Sequence, residues 1–519
     1  MTSRLVDTNP AKFLEARFFW PISELPTTRP RSLAPCRSVD GCSGRKELRR
    51  LYISPFRSER LLTLTEIGEY HLPTSEDTLM KHPAVALLCV CVLAAVDAAA
   101  QSKSVAWTTP SAEQLNAIYP EVEALYLDLH RTPELAMHEQ QTAAKLAERA
   151  KSLGYEVTTS VGGTGIVAVL RNGQGHTVLL RTDMDALPIE EKTSLPFASH
   201  VVVKSDSGTA TSVAHMCGHD IHMSSWVGTA KLMAANRDRW HGTLILIGQP
   251  AEETGQGAPA MIKDGLLTRF PKPDFALAIH DSANQPVGQV GYTPGYALAA
   301  ADSVDITIFG VGGHGGRPQN TIDPVVIAAR TVLALQTIVS RENNPFDPVV
   351  ITVGTIHGGT KNSIIPDEVK LQLTVRTYKP EVRKRVLASI ERVAKGEALA
   401  SGAPKEPLVR ITPAANAMYN DPALTKRLVA TLRGVLGQAN VIEVEPTMVF
   451  EDFAEFNLAG IPSADFWVGA VKPENFAAAQ QSGTPLPQLH SAAWAPDYAP
   501  TLKMAITVET TELLELLGH

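Results

Sequence analysis

The chain has 519 residues, too many for one ordinary domain, and its 44% hydrophobic and 19% charged content is that of a globular protein with a sizeable core. Its formal charge of −7 offers no basic surface of the kind a polyanion needs, so nucleic acid is not expected as a partner. The sequence contains no internal repeat and no heptad run.

Residues 1–79 are rich in Arg, Ser and Pro and lack sustained periodicity, and are expected to be a non-native or disordered extension. From Met80 the pattern changes: Lys81 and His82 form a short polar start, Ala84 to Val96 an apolar run, and Ala98 to Ala100 a small-residue stretch. This is the layout of a signal peptide over 80–100, too short to span a bilayer comfortably. A buried alanine-rich helix is the alternative. The expectation is translation from Met80, cleavage before Gln101, and export to a periplasm or the medium. Of the cysteines Cys36, Cys42, Cys89, Cys91 and Cys217, the mature chain would keep only Cys217, so no internal disulfide could form.

Residues 112–153 carry helical spacing up to Gly154, with a turn-like His130-Arg-Thr-Pro-Glu134 inside it. Gly165 to Leu170 and Thr177 to Arg181 read as strands split by the Asn172-Gly173 turn signal. A helix follows over 219–236, then a buried strand from Thr243 to Gly248 and a short one over Asp274–Ile279, ending at His280. Alternating strands and helices predict an α/β domain, its central sheet mixed but largely parallel and flanked by helices. From residue 301 the order is strand, helix (Pro324–Val339), two strands, helix (Glu381–Ala400), strand. That is the β-α-β-β-α-β order of a ferredoxin-like α+β unit. The expected organisation is therefore a catalytic domain over 112–300 and 416–519, with an inserted lid or dimerisation domain over 301–415.

The residues with chemistry cluster at the ends of these elements. Cys217 and His219, inside the run His215–Asp220, are two apart at a helix start and can face one point. Glu253, His280 and His490 each sit beside a strand end or turn. Thiolate, imidazole and carboxylate are what a borderline-soft divalent ion prefers. The adjacent pair Glu252-Glu253 lets one carboxylate bind metal while the other handles a proton, which points to a metal-dependent hydrolase. The Gly-rich run around His314 lacks the Lys-Ser/Thr of a phosphate loop and the acidic residue of a dinucleotide site, and is not read as either.

His130-Arg-Thr-Pro-Glu134, Asp183-Met-Asp-Ala-Leu-Pro188, His215-Met-Cys-Gly-His-Asp220 and Gln249-Pro-Ala-Glu-Glu253 occur in that order. They are followed by Gly312-Gly-His-Gly-Gly316, Asn362-Ser-Ile-Ile-Pro-Asp367, Thr374-Val-Arg-Thr377, Glu451-Asp-Phe453 and Leu489-His-Ser491. As a set spanning roughly 115–518, they resemble the dinuclear metal amidohydrolases of the aminoacylase and glutamate-carboxypeptidase family. The similarity is to the branch of hippurate hydrolases, auxin-conjugate hydrolases and N-acetyl-diaminopimelate deacetylases.

The resemblance implies two divalent ions, zinc or manganese, on Cys217, His219, Glu253, His280 and His490. It makes Glu252 the general base, and implies that His314 stabilises the oxyanion, often in the partner subunit of a homodimer. By the same resemblance Asn362 and Arg376 grip the substrate carboxylate. Where related branches carry a His-x-Asp ligand pair this chain has Asp183 and Asp185; Asp185 is expected to orient a ligand. His130, His215 and His222 are read as structural or as groups that orient the ligands from behind. The implied activity is hydrolysis of the amide bond of N-acyl amino acids or small peptide-like conjugates. The alternatives are a metallocarboxypeptidase or dipeptidase acting on short peptides, and an inactive protein that binds amino-acid conjugates.

Overall fold

The computed structural model describes residues 107–204 and 208–518, all within the compact unit Cys91–His519. The expected extension over 1–79, the expected signal peptide over 80–100 and the four cysteines that precede Cys217 lie outside the described residues.

Helix Ala112–Arg131 starts with a capping box: Ser111 accepts the Gln114 N–H, and the Gln114 side chain accepts that of Ser111. It stops at Thr132, because Pro133 disfavours helical backbone in the residue before it. Helix Gln140–Ser152 begins afresh after Glu139. The helical spacing over 112–153 therefore resolves into two helices with a loop between them.

The larger sheet has eight strands in the order Glu156–Val161, Gly165–Asn172, Gly242–Gln249, Thr177–Asp183, Phe275–Pro286, Ser463–Val471, Val290–Tyr292, Val441–Glu443. The four central strands from Gly242–Gln249 to Ser463–Val471 are mutually parallel, and antiparallel strands flank them. Alternate residues of these strands serve two cores. Val178, Leu180, Leu244 and Leu246 face a layer of long helices that includes His219–Ala235 and Tyr498–Leu517. Leu179, Ile245 and Ile247 face Ala258, Met261 and Phe456 on the opposite side. Burial on both faces explains why these strands are continuous apolar runs.

The smaller sheet is antiparallel, in the order Val349–His357, Glu368–Thr377, Ala300–Phe309, Leu408–Ala415, with helices Pro324–Thr337 and Pro380–Ala400 packed on it. The stretch Pro324–Glu342 is long and apolar enough to cross a bilayer, but Ile327, Ala328, Leu335 and Ile338 are core residues of this sheet. Helix Pro422–Leu436 and strand Ser463–Val471 then return the chain to the larger sheet.

Candidate metal centre

The site forms where the parallel strands end. Asp183 and Gln249 close neighbouring strands in register. Strand Thr177–Asp183 runs into Asp185, strand Gly242–Gln249 into Glu252 and Glu253, and helix His219–Ala235 begins directly after Cys217. The strand carrying His280 was expected to end there. It instead continues to Pro286, because His280, Asp281 and Ser282 pair with Trp467, Val468 and Gly469 and their polar side chains are held inside the site. Gly218 has φ +81°, and a Cβ there would lie 2.1 Å from Asp281 Oδ1. Only glycine lets Cys217 and His219 turn toward the same point. Ala251 and His490 carry positive φ without being glycine, at 51° and 63°. Such strain clusters at functional sites and needs support from its surroundings. The buried Glu139 supplies it by accepting the Ala251 N–H at 2.9 Å, and the His490 N–H is tied to the Met216 carbonyl at 2.7 Å.

The five expected donors converge. Cys217 Sγ lies 3.2 Å from His490 Nε2 and 3.6 Å from His280 Nε2; Glu253 lies 3.3 Å from His490 Nε2 and 3.9 Å from His219 Nε2. Two ligands bound to one ion at 2.0–2.3 Å in tetrahedral geometry are about 3.3–3.8 Å apart, so these spacings suit donors sharing a cation. The donors form overlapping groups, Cys217–His219–His280 and Cys217–Glu253–His490, with the thiol common to both. His219 Nε2 and Glu253 Oε1 are buried and have no hydrogen-bond partner among the described residues. A buried polar atom without a partner is costly, and a metal ion accounts for both. The residues fit the metal their types suggest.

The backbone sets the imidazoles for ligation. His219 Nδ1 donates to the Asp185 carbonyl and His280 Nδ1 to the Asp281 carbonyl, each at 2.8 Å, which leaves both Nε2 lone pairs facing the thiol side. Asp185 positions the glutamates as well: its two carboxylate oxygens accept the N–H groups of Glu252 and Glu253 at 3.0 and 3.1 Å. His222 lies under the centre, bonded to Asp183 at 2.8 Å and accepting the Asp281 N–H at 3.0 Å.

Beneath these groups sits Arg181, 2% exposed, paired with Asp183 at 2.7 Å, Glu451 at 2.7 Å and Asp452 at 3.4 Å. Sequence reasoning missed it, along with Asp281 and Glu139. The available signal was a charged residue in an otherwise apolar, doubly buried strand.

Burial, then the neighbouring Glu451 and Glu253, pushes the Glu252 carboxyl well above its usual range. Burial alone would raise Glu253 too, but His490 and His219 hold it below the usual value. Burial and Glu253 push the Cys217 thiol up. Burial disfavours charge on His219, yet Asp183, Asp185 and Glu253 draw it up to about 10. The donors therefore enclose a point where positive charge is strongly favoured.

The residues expected from the inserted unit are placed differently. His314 is exposed on the strand Gly313–His314, paired with Ile364–Ile365, and Asn362 is exposed on the adjoining loop. His314 Nδ1 accepts the Gly316 N–H at 2.9 Å, so Nε2 is the protonated nitrogen and a donor. Arg376 is partly buried, 5.6 Å over the Phe450 ring, and its NH1 has no hydrogen-bond partner among the described residues.

A mixed sheet with converging Cys, His and Glu donors at its strand ends, most of them buried, and a second glutamate beside them, defines a metal-dependent amidohydrolase. The chain belongs to peptidase family M20/M25/M40, whose model matches residues 179–493. It is similar to N-acetyl-L-cysteine deacetylase of Bacillus subtilis, 36% identical over 66% of this chain and 78% of the relative. It is also similar to thermostable carboxypeptidase 1 of Saccharolobus solfataricus, 36% identical over 66% of this chain and 84% of the relative. Among solved structures, a dinuclear metal binding M20 peptidase of Bacillus subtilis superposes with a TM-score of 0.62 at 27% identity, over 77% of this chain and 99% of that one.

Proposed function

We propose that the protein hydrolyses the amide bond of N-acyl amino acids or small peptide-like conjugates, using two divalent ions, zinc or manganese, held by Cys217, His219, Glu253, His280 and His490. The observation that carries this reading is the facing pair His219 Nε2 and Glu253 Oε1, buried with no hydrogen-bond partner among the described residues, with the Glu252 carboxylate within 4.8 Å of both residues' donor atoms. When bound, the ions supply Lewis acidity that polarises the scissile carbonyl and acidifies a water.

The chain's own groups do the rest. Glu252, its backbone N–H fixed by Asp185, takes the proton from the attacking water and delivers it to the leaving nitrogen. His314 Nε2–H donates to the developing oxyanion, and Arg376 with Asn362 receives the substrate carboxylate. His314 reaching the site of a second copy fits a homodimer. In support, Val325, Val326 and Leu333 leave helix Pro324–Thr337 with an exposed apolar face, 46%, 54% and 72% exposed. Export through a signal peptide starting at Met80 completes the reading.

A metallocarboxypeptidase or dipeptidase would use the same groups, and the carboxypeptidase relative favours keeping that reading beside the first. Metal analysis of protein expressed from Met80, coupled to a panel of N-acyl amino acids and dipeptides, tests both. About two ions per chain with chelator-sensitive release of amino acid from the N-acyl substrates is expected. Turnover of dipeptides alone would move the assignment to the peptidase, and no turnover with full metal would leave a binding protein.

A further inference from the structure

Glu139 lies outside the donor set, yet it is 0% exposed and its carboxylate gathers three segments of the chain. Oε1 accepts the N–H groups of Met137 and Ala251, each at 2.9 Å, and Oε2 accepts the Thr164 hydroxyl. Met137 belongs to the loop between helices Ala112–Arg131 and Gln140–Ser152. Thr164 belongs to the turn joining strands Glu156–Val161 and Gly165–Asn172. Ala251 directly precedes Glu252.

Burying a carboxylate is costly unless its oxygens are bonded. Here one of those bonds goes to the backbone position that places Glu252. Ala251 sits at φ 51° and ψ 39°, a left-handed conformation that an L-residue leaves unless it is held. Glu252 follows at once, at the start of the turn Glu252–Thr254. Its N–H and that of Glu253 go to Asp185 at 3.0 and 3.1 Å, so three successive N–H groups are held by two buried carboxylates. Asp185 secures the two amides beyond the strained residue, and Glu139 holds that of the strained residue itself. Cys217, His219, His280 and His490 stand on other segments, and Glu253 keeps its bond to Asp185. Release of Ala251 would therefore displace the Glu252 carboxylate more than the metal ligands.

We propose that Glu139 is a positioning residue for the reaction: it holds Ala251 in left-handed backbone and thereby aims the Glu252 carboxylate at the attacking water. The inference rests on the reading of Glu252 as general base in amide hydrolysis. The contact needs reach and an acceptor rather than a charge. Glutamine keeps both, with Oε1 for the Met137 and Ala251 N–H groups and an amide that donates to the Thr164 oxygen. Aspartate keeps the charge but is one methylene too short.

The test compares Glu139→Ala, Glu139→Asp and Glu139→Gln with the unmodified enzyme, all metal-loaded, on N-acyl amino acids and dipeptides. A misplacement of about 1 Å costs about 10²-fold, so kcat should fall by about that factor in the Ala and Asp variants, with KM and metal content unchanged. Glutamine should restore kcat to within about fivefold of the unmodified enzyme. Amide hydrogen exchange over residues 251–255, followed by mass spectrometry on metal-free protein, reads the clamp without turnover. It should be about tenfold faster or more in the Ala and Asp variants and unchanged in the Gln variant. Where Glu139→Ala does not melt cooperatively, the contrast between Asp and Gln gives the same answer. Undiminished kcat in the Asp variant, or exchange that does not quicken, overturns the proposal and leaves amide hydrolysis standing. A loss that falls on KM or metal content, or that glutamine shares in full, also overturns it, by giving Glu139 a general structural or charge-based part. Absence of turnover by the unmodified enzyme on every substrate at full metal occupancy overturns the amide-hydrolysis reading and the role given to Glu139 with it.

Discussion

The two sheets present their polar groups in opposite ways. On the larger sheet most of the functional groups are buried, mutually bonded and fixed by backbone, with only His490 half exposed at the rim: Asp185 alone receives the amides of both Glu252 and Glu253, and its carbonyl receives His219. Around the smaller sheet, His314 on the two-stranded pair with Ile364–Ile365 and Asn362 on its loop are exposed, and Arg376 keeps a guanidinium nitrogen without a partner among the described residues. The first arrangement prepares a charge trap before substrate arrives. On the proposed reading, the second supplies groups whose partners arrive with the substrate or a second subunit. Pre-organisation belongs where a metal must be held; adaptable groups belong where a ligand must enter and leave.

The contrast can be tested in order of expected effect. Glu252→Ala should lower kcat by up to about 10⁴-fold while metal content, measured by elemental analysis, stays unchanged; comparable turnover would remove Glu252 from the role of base. Arg181→Met should destabilise the fold by about 3–5 kcal/mol in urea unfolding, because Asp183, Glu451 and Asp452 would be left buried without their cation. A loss confined to activity would mean that the cluster is tuned for chemistry rather than for folding.

His314→Ala should cost about 10²–10³-fold in kcat and leave both stability and metal content intact, as expected of a group on an exposed strand. Equal losses in metal binding would merge the two regions and erase the contrast. Asp185→Ala belongs to the first region: about 10–100-fold weaker metal binding is expected, seen by competition with a chromophoric chelator.

The last effect concerns stability and pH. Glu509, fully buried and bonded to Ser225 at 3.0 Å and Thr229 at 2.6 Å, is raised by burial to about 8; Asp465 nearby is raised by burial, then by Glu451, to about 7. Glu512 adjoins them and is also raised by burial, while His222 opposes the shift of Glu509. A carboxyl raised in the folded state binds its proton more tightly there than in the unfolded chain. Its stabilising contribution is complete below the unfolded value near 4.5 and is lost as pH rises through about 8. Glu509→Gln should therefore melt higher relative to the unmodified protein at pH 8.5 than at pH 5, by an amount on the order of a few kcal/mol. A difference that does not change with pH would show that Glu509 is not the group titrating.

Much of this was legible in the residues themselves. Unbroken apolar runs such as Thr243–Gly248 announce doubly buried strands, and the order of elements over 301–415 announces the ferredoxin-like arrangement, because local hydrophobic pattern reports how a segment is buried. The helix break at 132–139 was marked by Pro133, though the spacing alone ran through it. The hairpin Val201–Lys204 and Ala210–Val213 gave no comparable signal: it is short, half exposed and polar at one strand.

The site divides in the same way. Residue type determined the donors, since few side chains other than Cys, His and Glu at neighbouring turns can hold a divalent ion. Residue order also set Glu252 beside Glu253. Neither could reveal that Cys217 lies 3.2 Å from His490, 273 positions away, or that Arg181 neutralises carboxylates 270 and 271 positions on. Those pairings arise from strand order in the sheet, which brings together chain segments with no local relation. The tautomers of His219 and His280 and the strained turns at Ala251 and His490 depend on the same packing. Chemistry is carried by side-chain identity and so can be read along the chain; geometry is a property of contacts between distant segments, and exists only once the chain has folded.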